Sequence, residues 1–117
     1  MYNYYIGGLS MKLILAIISN DDAKACTAAL NKASFHVTRL ATTGGFLSAG
    51  NTTLIIGCDD KEVDKAIEII GGESQRRKEA VPSTIAGDMG SLASYPVEVE
   101  IGGATIFVLN VDQFKKL

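Results

Sequence analysis

Six consecutive apolar residues, Leu13 to Ile18, stand directly before "SNDDAKACTAALNKAS". A solvent-facing strand would alternate apolar and polar residues. An unbroken run suits a strand covered on both faces or placed in mid-sheet. Ser19, Asn20 and Asp21 then offer side-chain oxygens to the unpaired amides of a helix start. Ala23, Cys26, Leu30 and Ala33 recur at helical spacing, so this segment reads as a helix with a small-residue face.

The pattern continues. "FHVTRLAT" is rich in β-branched residues and alternates. Its odd positions are Phe35, Val37, Arg39 and Ala41, and it reads as a second strand. "TLIIGC" reads as a third. In "DDKEVDKAIEIIGG", Asp59 or Asp60 caps a second helix. Val63, Ala66, Ile67 and Ile70 line one face, and Gly71-Gly72 end it. Residues 73–94 carry no regular pattern, being charged in "ESQRRKE" and turn-rich in "PSTIAGDMGS". Connections beyond ~12–15 residues are uncommon in compact domains and tend to serve function. "YPVEVEIGGATIFVLNV" reads as a hairpin, with Gly102-Gly103 as its two-residue turn. The order β-α-β-β-α-β plus one further C-terminal strand predicts an α+β, ferredoxin-like sandwich. Met11 offers a second start, so residues 1–10 are set aside as a non-native extension or a disordered arm. Residues 11–117 are read as one domain with a long loop at about 73–94.

Charge and composition exclude several classes. A net charge of −2 provides no overall basic field for a nucleic acid polymer or an anionic membrane. No apolar run approaches the ~20 residues of a membrane span. Cys26 and Cys58 form neither a CxxC pair nor a disulfide framework, and read as buried small hydrophobes in a reducing cytoplasm. His36 is the only histidine, so no catalytic cluster or metal site is legible. "TTGGFLSAGNTT" lacks the lysine of a phosphate-cradling P-loop. The chain is expected to be neither an enzyme nor a cofactor carrier.

Binding is better supported. Gly44, Gly45 and Gly50 bracket the connection from Thr43 to Thr52, and glycine lets a backbone approach a ligand closely. Phe46 offers a flat face for stacking. Asn51 offers a donor and an acceptor, which match an adenine edge. Thr38 and Thr42 add hydroxyls. Burial of Phe46 on a neighbouring subunit is an equal alternative for the same loop. "QRRK" reads first as wetted surface, and a phosphate contact from Arg76 or Arg77 is the lesser alternative.

"LATTGGFLSAGNTT", "MKLILAII" and "YPVEVEIGGATIFVL" together resemble the PII-like cyclic-di-AMP receptor family, from Met11 to about Phe114. The resemblance implies PII-type signal-transduction proteins that form homotrimers and are not known as enzymes. They bind one cyclic di-AMP in each intersubunit cleft. It also implies a short loop after the second strand and a long one after the second helix, as Thr43–Thr52 and Glu73–Ser94 match. Carried over by position, the ligand residues are Thr38, Gly45, Phe46, Leu47, Asn51, Gly57 and Phe107. His36 and Val37 occupy two further ligand positions, where the family commonly has Arg and Ala. Lys116 stands where Gln is common. On this reading Phe46 and Leu47 are covered by adenine and the adjacent subunit, Asn51 reads an adenine edge, and Gly57 leaves room for the ring. The implied output is ordering or displacement of the 73–94 loop, read by a downstream protein that the sequence does not identify.

Overall fold

The computed structural model describes residues 10–40, 50–82 and 96–117. The first strand, β1 (Met11–Ser19), passes into helix α1 (Asn20–Lys32) with no connecting loop. Ser19 is the cap: its Oγ accepts the Asp21 N–H at 3.2 Å. Asp21 and Asp22 in the first turn and Lys32 in the last complement the helix dipole. Ser34 then adopts a left-handed φ of 73°, and the Phe35 N–H returns to the Leu30 carbonyl at 2.9 Å. Strand β2 (Val37–Leu40) and strand β3 (Asn51–Asp59) follow. Asp59 accepts the Lys61 N–H at 3.0 Å and caps a single 3-10 turn, Asp60–Glu62, which leads into α2 (Val63–Glu73). The helix runs through Gly71-Gly72 rather than ending there, and the Ser74 hydroxyl closes it by donating to the Ile70 carbonyl at 2.5 Å.

The last three strands are β4 (Arg77–Pro82), β5 (Pro96–Ile101) and β6 (Ala104–Asn110). Two sequence expectations are corrected here. Residues 77–82 are a strand, not irregular chain. They pair antiparallel with β5, setting Lys78 opposite Glu100 and Glu79 opposite Val99. Such cross-strand pairs stabilise a ribbon whose charge masks its alternation. The second correction concerns Gly102-Gly103, which do not close a hairpin. Both have left-handed φ, 90° and 86°, and the Gly103 N–H is taken by the Ser74 carbonyl. The chain therefore leaves the ribbon there and enters a different sheet. The extra strands are β4 and β5, and β6 is the fourth strand of the main sheet.

That sheet has the order β2-β3-β1-β6, with every neighbouring pair antiparallel. Opposed residues share a face. One face carries Ile14, Ala16, Ile18, Leu54, Ile56 and Cys58 and is sealed by Ala23, Cys26 and Leu30 of α1 and Val63, Ala66 and Ile70 of α2. Each fully buried Ile or Leu there contributes about 1.5–3 kcal/mol relative to exposure. Among the described residues no helix lies over the opposite face. Leu13, Leu15, Ile17 and Ile55 are only half-buried despite lying on the two central strands. The unbroken apolar run of β1 is thus explained on one face by helices, and on the other it has no helix against it among the described residues.

Candidate functional site

The bare sheet face holds most of the described site candidates. Thr38, Ile55, Leu15 and Phe107 form one rung across all four strands. Gly57, Leu13 and Leu109 form the next, and exposed His36 stands just before β2 beside it. On the other side come Leu40, Thr53, Ile17 and Thr105, and beyond them Asn51 opposite Ser19. Phe107 is 53% exposed, and a Cβ built on Gly57 meets nothing within 4 Å. The face therefore carries a ring at one edge, a hydroxyl at the other and a gap on the strand beside the hydroxyl.

The candidates do not converge on one point within a single chain. Thr38 and Phe107 lie three strand spacings apart, roughly 14 Å, and Asn51 lies about 13 Å along β3 from their rung. Val37 turns to the other face, where it packs against the core opposite Ile56. Gly45, Phe46 and Leu47 lie outside the described residues, as does Thr42. Lys116 is exposed in the C-terminal tail.

At the Asn51 end the sheet meets the base of the ribbon. The Gly50 carbonyl accepts the Asn20 N–H at 2.7 Å, and the Thr52 hydroxyl bonds the Asn20 side chain, so the start of β3 is held against the start of α1. Two clefts open there. One, of about 150 Å³, is walled by Ile17, Ser19, Asn51, Arg76, Gly103 and Thr105, among others. The other, of about 460 Å³, shares Ser19, Asn51 and Gly102 and adds Asp21 and Glu100. Gly103 and Thr105 were not singled out as site residues by the sequence, and Arg76 entered there only as the lesser alternative of a phosphate contact. Arg76 alone carried a signal, as part of "QRRK", and only the fold brings it to Asn51.

Burial pushes up both core thiols: Cys26 to about 11, with Glu73 and Asp22 adding to the rise, and Cys58, with Glu62, Asp59 and Asp60 adding to it. Among the described residues no three His, Cys, Asp or Glu side chains gather to hold a metal. No helix among them is long and apolar enough to cross a membrane.

A family model described as "Cyclic-di-AMP receptor" matches residues 11–117. The chain belongs to the cyclic-di-AMP receptor family. The receptor is also similar to a solved protein from Pediococcus pentosaceus whose title calls it functionally unknown. The two are 35% identical, with 94% of this chain and 100% of that one covered and a TM-score of 0.73. A second similar structure is Arabidopsis thaliana PII bound to citrate, with 21% identity, 92% and 82% coverage and a TM-score of 0.56. That likeness establishes a PII-like fold for the receptor. The family match supports a cyclic-di-AMP-binding receptor.

Proposed function

We propose that this receptor works as a homotrimer that senses cyclic di-AMP in the clefts between its subunits. The family match over residues 11–117 carries this reading. The geometry supports it in two ways. A sheet face left half-exposed, with Leu40, Phe107 and Leu109 each more than two-fifths exposed, calls for a partner, and a second copy of the chain supplies one. The separation of Asn51 from Thr38, Gly57 and Phe107 suits a site assembled from two neighbouring chains.

In this mechanism His36, Thr38, Gly57, Phe107 and Asn51 contact the ligand together with Gly45, Phe46 and Leu47. Aromatic faces take the bases, Asn51 reads an adenine edge, and Gly57 admits a ring. Val37 shapes the site from behind, through the core side of β2. Binding shifts the segment between α2 and β6, and a cytoplasmic protein reads that change. His36 and Lys116, which stand where the family commonly has Arg and Gln, favour a second reading. In that reading the trimer is an adaptor for another nucleotide or for a protein alone.

Titration calorimetry with cyclic di-AMP, cyclic di-GMP and ATP separates the two. One cyclic di-AMP per subunit at micromolar affinity or better, with the other nucleotides silent, supports the receptor. Heat from ATP or cyclic di-GMP alone, or from none of the three, overturns it in favour of the adaptor.

A further inference from the structure

Of the two clefts beside Asn51, the smaller has one charged side chain among the described residues of its wall, and that side chain is a cation, Arg76. The neighbouring Arg77 is already committed, donating to both carboxylate oxygens of Asp22 and to the Gln75 carbonyl. Arg76 has no ion pair among the described residues. Its guanidinium lies along the Gly103 backbone, where a built Cβ comes within 3.5 Å of Nε and 3.7 Å of an Nη. Ser19, Asn51 and Thr105 complete the polar wall, and each can donate a hydrogen bond. The acids Asp21 and Glu100 line the adjoining larger cleft, which disfavours an anion there.

One fixed positive charge among neutral donors matches a phosphodiester, which carries one negative charge and two unesterified oxygens. We infer that Arg76 is a ligand-binding residue that holds a phosphodiester of the dinucleotide, with Ser19, Asn51 and Thr105 as neutral donors around it. The inference rests on the receptor reading above. It supplies a permanently charged guanidinium. It also connects the ligand to the ribbon, because Arg76 immediately precedes β4.

The test is calorimetry of the full chain with cyclic di-AMP at low and high salt, on the native protein, Arg76→Ala and Arg76→Lys. Arg76 is exposed, so both variants should melt with the native protein. The expected result is about 10- to 100-fold weaker binding for R76A. R76K should fall between, and the salt dependence of R76A should be shallower. Native binding with R76A within about twofold would overturn this inference and leave the receptor reading standing. So would an R76A loss that R76K does not relieve and that leaves the salt dependence unchanged, since that marks a structural role. Absence of binding by the native chain would remove the receptor reading itself and this inference with it.

Discussion

Arg77 Nη2 donates to Asp22 Oδ1 across 2.8 Å and joins the base of the ribbon to the first turn of α1. Asp22 is a buried carboxylate in a helix start, and Arg77 is its ion-pair partner. Replacing Asp22 by Ala should release the ribbon without opening the main sheet. Amide exchange of residues 77–82 and 96–101 should rise by about an order of magnitude while β1 and β3 keep their protection. Unchanged exchange in the ribbon would show that the pair does not anchor it.

Gly102 is a stricter requirement. A Cβ there would stand 2.3 Å from the Gln75 carbonyl oxygen, a backbone atom, at a φ of 90° that side-chain-bearing residues rarely adopt. Gly102→Ala should cost about 1–3 kcal/mol in urea unfolding. Gly71→Ala in α2, where a Cβ meets open space, should instead be neutral or stabilising by up to about 1 kcal/mol.

Gly57 separates folding from binding. The added methyl of Gly57→Ala has no neighbour within 4 Å among the described residues, so the circular dichroism spectrum and melting temperature should be kept. If the ligand ring occupies that gap, affinity for cyclic di-AMP should fall at least about tenfold, by a clash worth ~1–3 kcal/mol. Native affinity in a folded Gly57→Ala protein would move the ring elsewhere.

Phe107 tests the bare sheet face. Phe107→Asp should leave secondary structure intact, because the ring is half-exposed, and should shift the sedimentation profile toward the single chain. A profile identical to that of the native protein would place the subunit contact on another surface.

Cys26 sets an upper pH limit on stability. Its thiol is raised from 9.0 to about 11, so the folded chain holds the proton more tightly than the unfolded one. Its contribution is complete below about pH 9 and disappears as pH rises toward 11. Unfolding free energy should fall by up to about 1.4 kcal/mol per pH unit across that window. Cys26→Ala should flatten that slope in denaturant titrations.

Much of the main sheet was legible because its signals are local. The apolar run of β1, the Ser19 cap and the 3.6-residue spacing of α1 and α2 each lie within a few residues. Within the ribbon β5 was legible as an alternating strand, but β4 was not, because it is stabilised by pairing with β5 across the intervening chain and its first residues, Arg77 to Glu79, are charged. Gly102-Gly103 misled for a related reason. Two adjacent glycines fit a tight turn, and only the bond from Gly103 to Ser74 shows that the strands on either side part company. At the site, Thr38, Gly57 and Phe107 were read from family resemblance and share the open face. Arg76 needed the fold, since 25 residues separate it from Asn51 in sequence.

The ribbon is held near its base, by Arg77 on Asp22 and by Gly103 on Ser74, and it extends about 20 Å along the six residues of β4. Such an arrangement is a lever with its fulcrum beside the small cleft. A tilt of about 10° at the fulcrum carries the far end of β4 through roughly 3–4 Å, as follows from that strand length. A change at Arg76 too slight to disturb the core would therefore arrive at the distal end as a displacement as wide as a side chain.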